Sequence, residues 1–554
     1  MNPQIGFLLN KSLECIRYSN LEPAEMYLKQ AIRLESNNPH VLRLLGVISA
    51  QRGQYLEALK YLNNSLKALP KNALALSNLG NVFLGLKEYE NALDAYDKSL
   101  KIDPKYEEAW SNKGNALYEL NRYDEAIAHY DRALTIQPRY AEGWSNKGNT
   151  LKELKRYDDA ITHFDKALSL RSDYHEAWTN KGVTLHELGR YDDAITHFDK
   201  ALSLRSDYHE AWTNKGVTLH ELGRCDEAIA HYDKALNHRS DYHEASWNKG
   251  LSLLLRGDFE NGLPLYEGRW DSKSVSEKAG KRIFDKPTWL GVESLQGKII
   301  LIYGEQGVGD FIQFCRYVKL VADLGAKIIL ETPKSLATLM EGFEGVSQLV
   351  IKGEELPYFD YQCPLLSIPL ALNTNISTIP AHNLYLTVSS NKVEEWRLRL
   401  GEKRKKRVGL VWSSMSNFKE DSKRSLKLLD FIKALPDDRF EYICLQKELK
   451  NCDKEFFENY KKIRFFGDQL VDFSDTAALI ENLDLVISSC TSVPHLSGAL
   501  GKETWILLSH VPDWRWLLDR VDSPWYPSVK LYRQPVIGDW GSVLDRVKGD
   551  LSCS

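Results

Sequence analysis

Residues 157–190 (YDDAITHFDKALSLRSDYHEAWTNKGVTLHELGR) recur without a single change at 191–224. Self-similarity at a fixed period of 20–50 residues is the mark of a repeat architecture, so this 34-residue period restricts the fold more than any other feature. The same register runs on in both directions with looser identity. Glycine falls at Gly46, Gly80, Gly114, Gly148, Gly182, Gly216 and Gly250, and tryptophan at Trp110, Trp144, Trp178 and Trp212. An aromatic recurs at Tyr55, Tyr89, Tyr123, Tyr157, Tyr191 and Phe259. Alanine recurs at Ala24, Ala58, Ala92, Ala126, Ala160, Ala194 and Ala228, and proline at Pro70, Pro104 and Pro138.

The spacing inside one unit predicts a helical hairpin. In 109–121, Trp110, Gly114, Leu117 and Leu120 share one helical face; in 124–137, Ala126, Ile127, Tyr130, Ala133 and Leu134 do the same. Gly114 and Ala126 carry almost no side chain, so the two helices can approach closely where they cross. Pro138 cannot continue a helix and marks the turn to the next unit. Each hairpin leaves an apolar face that only the next hairpin can cover. In period and residue pattern, residues 5–270 resemble the tetratricopeptide repeat (TPR) family. About eight units are expected, forming an α solenoid (a TPR superhelix); the first departs in having Ser12 at the glycine position.

Two features of the repeats invite functional readings. Asparagine recurs at Asn78, Asn112, Asn146, Asn180, Asn214 and Asn248. This half also resembles that of O-linked N-acetylglucosamine transferases, in which an asparagine ladder along the inner groove holds a peptide backbone. An amide side chain offers donor and acceptor together, which suits an extended chain. The alternative is that asparagine is merely frequent at this consensus position. Histidines also recur at the repeat spacing, as His129, His163, His197 and His231. Equivalent residues of neighbouring repeats sit about 10 Å apart at helix packing distances, too far to share a metal whose ligands lie about 2 Å from it. A solvated or groove-facing place is expected for them, and no metal site.

Near residue 270 the period stops, and 271–297, with Gly280, Pro287 and Gly291, reads as a connector. Short β-branched runs then alternate with helical patterns: candidate strands are 298–303, 327–331, 347–351, 408–412, 440–445, 484–488 and 504–508. Continuous apolar strands separated by helices indicate parallel sheets covered on both faces, an α/β class. Two Rossmann-like lobes are expected, 298–385 and 407–550, joined by a charged linker over 386–406 that ends in the basic run Lys403–Arg407.

Ligands of open parallel sheets bind beyond the carboxyl ends of the strands, where helix N-termini point. Three loops fit. The first, Gly304-Glu305-Gln306-Gly307-Val308-Gly309-Asp310, follows the first strand; its glycines let a backbone approach a ligand, and Asp310 starts a helix. An aspartate capping that helix is the simpler account. The second, 413–425, carries Lys419, Lys423 and Arg424, cations able to hold a diphosphate or merely exposed. The third, Ser488-Ser489-Cys490-Thr491-Ser492-Val493-Pro494-His495, offers hydroxyls and backbone N–H groups at a helix start, with His495 one turn in.

With these loops, residues 298–550 resemble the heptosyltransferase-like glycosyltransferases (glycosyltransferase family 9), which have the two-lobed GT-B fold. The resemblance implies a nucleotide-sugar donor as substrate and no cofactor. It makes Asp310, after Gly309, the general base for the acceptor hydroxyl, and gives Lys423 or Arg424 the donor diphosphate. Thr491 and His495 match the late motif that contacts the donor sugar and phosphates, with Ser489 and Ser492 beside them. The aspartate of that motif is replaced here by Cys490, whose thiol cannot accept paired hydroxyl hydrogen bonds as a carboxylate does. The stretch 513–527 resembles the C-terminal part of bacterial proteins that fuse such repeats to such a domain; its aromatics suit a core or cleft lining, and Arg515 is a candidate donor-binding residue.

At 554 residues the chain requires several cores. Its 72 basic and 76 acidic side chains leave a net charge of -4, which argues against a nucleic-acid partner. Eight cysteines without a CxxC pair suggest a reducing compartment, and no signal-like or membrane-spanning run is present, so a cytoplasmic place is expected. The leading expectation is a glycosyltransferase whose repeats bind a protein or peptide, or a glycan acceptor. The rival is a non-catalytic TPR interaction scaffold with a degenerate GT-B domain, which Cys490 favours. A nucleotide-switch domain is disfavoured because no GxxxxGK[ST] loop exists.

Overall fold

The computed structural model describes residues 3–18, 20–271, 282–381, 384–414, 421–436, 439–459 and 462–553. The chain divides into two compact units, Met1–Ala211 and Trp212–Ser554. The first unit is a stack of helical hairpins: α1 (Pro3–Arg17) with α2 (Leu21–Leu34), α3 (Pro39–Gln51) with α4 (Tyr55–Ala68), and α5 (Ala73–Gly85) with α6 (Tyr89–Ile102). It continues with α7 (Glu107–Glu119) and α8 (Tyr123–Ile136), α9 (Ala141–Glu153) and α10 (Tyr157–Leu170), and α11 (His175–Glu187) and α12 (Tyr191–Leu204).

The repeated glycine holds each hairpin shut. A Cβ on Gly114 would lie 2.7 Å from the Tyr130 ring, and one on Gly182 would lie 2.6 Å from Phe198; both rings are buried. The Tyr96 and Tyr130 hydroxyls then donate to Asn81 and Asn115 of the facing helix. Where the ring is Phe164 that bond is lost, and the Asn149 Oδ1 is buried without a partner. The first helix of the second to sixth hairpins ends on a left-handed residue at the same repeat position: Gly53, Lys87, Asn121, Lys155 and Gly189, with φ of 74°, 62°, 58°, 59° and 75°. First helices also touch one another along the stack (α3 with α5, α5 with α7, α7 with α9, α9 with α11). They therefore form one continuous row along the stack, and Asn78, Asn112, Asn146 and Asn180 lie on them, half-buried.

The second unit begins within α13 (His209–Glu221), which pairs with α14 (Cys225–His238), and continues through α15 (His243–Arg256) and α16 (Phe259–Tyr266) into the 3-10 turn Glu267–Trp270. Two all-parallel sheets follow. In the first, β1 (Ile299–Tyr303) lies between β2 (Lys327–Thr332) and β4 (Tyr361–Pro364), with β3 (Val346–Ile351) outside β2. In the second, β5 (Lys406–Val411) and β8 (Leu485–Ser489) are central; β6 (Phe440–Cys444) and β7 (Ile463–Phe465) extend one side, β9 (Thr504–Leu508) and β10 (Val529–Arg533) the other. The central strands bury both faces, which is why they read as apolar runs.

Three strands that the apolar runs do not reveal, β4, β7 and β10, all sit at sheet edges, where one flank needs no partner and the sequence is mixed. The charged linker holds the helix Ser390–Leu400. It packs on the helix Phe473–Glu481 through Trp396, which is fully buried and donates to Asp475 at 3.2 Å. The connector also has fixed points: Thr288 bridges to Gln362, and the buried Trp289 donates to the Glu293 carbonyl at 3.0 Å. Gly280 and Lys419 lie outside the described residues.

Candidate functional site

The first sheet delivers Asp310. After β1 the loop turns at Gly307 into the helix Val308–Phe314, and the Gly307 N–H donates to Asp310 Oδ2 at 3.0 Å. Asp310 is therefore not the cap expected of it: Gly307 caps the helix, and Asp310, at its third position, turns its side chain back onto the cap's backbone. The other oxygen, Oδ1, lies 2.7 Å from Nη2 of Arg515, delivered by the second sheet beyond β9. Arg515 Nη1 is held by both oxygens of Asp513 at 2.8 and 3.0 Å. The guanidinium stands over the Trp514 and Phe314 rings, 4.7 and 5.3 Å from their centroids, and the residue is 4% exposed. Asp310 and Arg515, 205 positions apart in the chain, thus form one ion pair joining the two lobes.

The lobes touch because Gly309 permits it. A Cβ there would lie 3.1 Å from the His495 ring and 3.3 Å from Ser492 Cα, so this glycine serves a helix crossing between the helices Val308–Phe314 and Ser492–Ala499. Gly304 likewise lies against the Phe311 ring, 2.7 Å from where its Cβ would be. Of the three loop glycines Gly307 is the one crowded by no ring or backbone atom; a Cβ there would meet only Asp310 Oδ2, at 3.3 Å.

Beyond β8, Thr491 caps the helix Ser492–Ala499 with its backbone but makes no side-chain cap bond. The Thr491 and Ser489 hydroxyl oxygens are buried and have no partner within the described residues. His495 is 5% exposed, stacked on Trp516 at 5.1 Å, with Nδ1 3.0 Å from the Tyr526 hydroxyl. The Trp516 indole N–H points at Cys490 Sγ, 3.1 Å away. Trp514, Trp516, Trp525 and Tyr526 are all buried in the core.

Burial sets the protonation states. It raises the Asp310 carboxyl above the usual carboxylate range, against the pull of Arg515. Burial would raise Asp513 too, but Arg515 outweighs it and holds that carboxyl low. Burial and the Arg515 charge push His495 down to about 3, so its imidazole is neutral. The Cys490 thiol, pushed up to about 11 by burial, stays protonated.

The cations of the second loop divide. Lys423 pairs with Glu221 of α13 at 2.7 Å, whereas Arg424 lies near enough to lower both Asp310 and Cys490 electrostatically. In the repeats, the side-chain amides of Asn112, Asn146, Asn180, Asn214 and Asn248 make no hydrogen bond within the described residues, and Asn78 Nδ2 is buried without a partner. His129, His163 and His197 are half-buried against Trp110, Trp144 and Trp178, at 5.4, 5.4 and 5.5 Å. Among the described residues no group of three His, Cys, Asp or Glu side chains could hold a metal ion, and no helix is long and apolar enough to cross a membrane.

Sequence reasoning missed the contribution of the last hairpin. Arg269, fully buried in the 3-10 turn, reaches Glu305 at 3.0 Å, Ser367 at 2.7 Å and Glu267 at 2.5 Å. Gln306 donates to the Tyr266 hydroxyl at 2.9 Å, and Phe259 packs on Trp514 and Trp525. The Leu518 N–H bonds the Leu255 carbonyl at 3.2 Å. The loop after β1 and the Arg515 segment are therefore both braced by repeat residues. The one signal was the turn EGRW, where charged residues replace the repeat pattern.

The tetratricopeptide repeat family matches residues 73–106, 107–140, 139–206 and 173–241, so this stretch carries tetratricopeptide repeats. The protein is a TPR solenoid continued into an α/β part built on two parallel sheets. It is similar to the protein FlbA of Caulobacter vibrioides, 26% identical over 323 residues, which are 53% of this chain and 52% of that one. The chain thus matches about half the length of that relative. Similar solved structures include a tetratricopeptide repeat protein of Parabacteroides merdae (21% identity, 46% of this chain and all of that one, TM-score 0.38). Another is YrrB, described as a TPR protein with an unusual peptide-binding site (24% identity, 33% of this chain and 95% of that one, TM-score 0.27).

Proposed function

We propose that the protein is a glycosyltransferase of the GT-B kind, moving a sugar from a nucleotide-sugar donor to an acceptor hydroxyl while the repeats hold a protein partner or acceptor. The carrying observation is the Asp310–Arg515 ion pair, at strand ends of both lobes and beside the start of the helix Ser492–Ala499. Asp310 would take the proton of the acceptor hydroxyl as that oxygen attacks the anomeric carbon. The bond from that carbon to the phosphate oxygen breaks, and the nucleoside diphosphate leaves with its electron pair. Each carboxylate oxygen has two lone pairs, so Asp310 keeps accepting sites beyond those used by Gly307 and Arg515. Burial raises its proton affinity, which favours the base role. Arg515, Arg424, His495, the unpartnered Ser489 and Thr491 hydroxyls and the helix N–H groups would hold the departing charge. The half-buried asparagines along the row of first helices supply free amides for a peptide backbone.

Purified full-length protein incubated with a panel of radiolabelled nucleotide sugars tests this. Turnover, by hydrolysis or transfer, should fall by about 10²- to 10⁴-fold in Asp310→Asn, the range for loss of a general base. A panel that neither binds nor turns over would end the proposal. It would favour the second reading, a TPR scaffold with a degenerate domain, which the neutral Cys490–Trp516 contact and the occupied Lys423 support.

A further inference from the structure

We propose that Tyr526 is a positioning residue that fixes His495 in the neutral tautomer with its proton on Nε2, making the imidazole a permanent N–H donor to a phosphate oxygen of the ligand. The His495 ring cannot turn. One face stacks on Trp516, and the Cδ2 edge lies where a Cβ on Gly309 would come within 3.1 Å. Its Nδ1 is 3.0 Å from the Tyr526 hydroxyl. Proton counting settles the direction of that bond. Arg316 spends its donors on the Gln313, Pro380 and Trp525 carbonyls and on the Tyr385 hydroxyl, and lies 4.4 Å from the centre of the Tyr526 ring. The neighbouring Tyr385 hydroxyl accepts from Arg316 at 2.9 Å and spends its own proton on the Ile312 carbonyl at 2.9 Å. Tyr526 is fully buried and the acceptor its hydroxyl meets among the described residues is His495 Nδ1, so its single proton goes there rather than staying unpaired.

A neutral imidazole whose Nδ1 accepts carries its proton on Nε2. Within the described residues Nε2 has no partner and is not sealed from solvent. The charged groups facing the ring are Arg515, Arg316 and Asp513; two cations against one carboxylate, together with burial, disfavour the imidazolium. His495 lies on the first turn of the helix Ser492–Ala499, whose N-terminus has no side-chain cap, and it feels the Arg515 charge, an environment that selects an anionic oxygen. The use of this donor in sugar transfer rests on the function proposed above; the tautomer does not.

The test is long-range ¹H–¹⁵N correlation of ¹⁵N-histidine-labelled full-length protein, with His495→Gln used only to assign the signals. We expect an unprotonated Nδ1 and a protonated Nε2 for His495, constant from about pH 5 to about pH 8. Tyr526→Phe keeps the ring under Gly498 and removes only the hydroxyl, so it should give mixed or reversed tautomers. Protonated Nδ1 in the parent, titration within that range, or an unaltered pattern in Tyr526→Phe would each overturn the proposal. Isothermal titration with UDP, GDP, ADP and CDP gives the second arm. Whichever diphosphate binds the parent should bind Tyr526→Phe about 5- to 10-fold more weakly, the effect of one misdirected hydrogen bond; equal affinity would refute the positioning role. Binding of none would defeat the glycosyltransferase reading and leave the tautomer to stand or fall on the spectrum.

Discussion

Replacing Arg515 by methionine removes the one positive charge between Asp310 and Asp513. The Asp513 side chain is 42% exposed, so water screens much of its loss; the Asp310 side chain is 23% exposed and is left largely uncompensated. Stranding one partner of a buried pair costs about 3–5 kcal/mol. Partial solvation puts this case at the low end, and losing the guanidinium contacts with Trp514 and Phe314 adds about 0.5–1 kcal/mol, for a total of about 3–4 kcal/mol. The second unit, Trp212–Ser554, has about 340 residues, and at about 2.1 cal/mol/K per residue its unfolding entropy is about 0.7 kcal/mol/K. The melting temperature of that unit should fall by about 4–6 °C at about pH 7.5.

The same reasoning fixes the pH dependence. Without Arg515 the Asp310 carboxyl, already raised by burial, rises further. A carboxyl whose folded value exceeds its unfolded value binds its proton more tightly when folded, so stability is lost as pH rises through the folded value. The deficit of Arg515→Met should therefore shrink as the pH is lowered from about 7.5 to about 5, because proton uptake discharges the stranded Asp310. Adding Asp310→Asn to Arg515→Met removes the stranded charge and should recover about 2 °C at about pH 7.5. Differential scanning fluorimetry of the single and double variants at both pH values decides it. An equal deficit at both, or no recovery in the double variant, refutes the claim that a stranded carboxylate is the cost.

Three other outcomes follow from the same geometry. Burial raises Glu305 to about 7 even beside Arg269, so its folded value lies above its unfolded one and the parent should lose melting temperature between about pH 5 and about pH 8; Glu305→Gln should flatten that slope in a fluorimetric series. The triple variant Asn112→Ala, Asn146→Ala, Asn180→Ala should bind a peptide ligand of the repeats about 100-fold more weakly, at about 1 kcal/mol per amide, with circular dichroism unaltered; unaltered affinity on calorimetry would rule out the ladder. Lys155 occupies a left-handed position that Gly53 and Gly189 fill in other units, so Lys155→Gly should stabilise the first unit by about 0.5–1 kcal/mol in urea unfolding.

The repeat half was legible because its information is local and repeated: each hairpin states its own packing, and Gly114 under Tyr130 is restated as Gly182 under Phe198. The left-handed position escaped notice because Lys87, Asn121 and Lys155 hide a conformation that Gly53 and Gly189 would have advertised. In the α/β part, central strands such as β1 and β9 announce themselves by apolar runs, whereas the edge strands β4, β7 and β10 do not. Asp310, Arg515 and His495 were found as chemistry-bearing residues on strand-end loops. Their mutual arrangement was not, because the Asp310–Arg515 pair and the Arg316–Tyr526–His495 chain join segments far apart in the chain. Gly309 drew attention as a ligand-approach glycine, yet its smallness is needed for the crossing of two helices.

The bracing of the site by the last hairpin separates two demands on the array. Phe259 and Tyr266 keep aromatic repeat positions while Arg269 stands where Ala235 stands one unit earlier, and all three meet the loop after β1 or the Arg515 segment directly. Changing any of them would disturb buried groups: loss of Arg269 would leave the buried Glu305 under the charge of Glu267 without the cation that both now contact. The two identical units at 157–224 are under the opposite constraint. Deleting or adding one such unit creates no new sequence at the junction, and every hairpin keeps a neighbour of the same kind. The hairpin that touches the site is therefore the part of the array that cannot vary, while units upstream can change in number without altering any contact of Arg269, Tyr266 or Phe259. A change in array length would act on what the repeats bind, and the chemistry at Asp310 would be insulated from it.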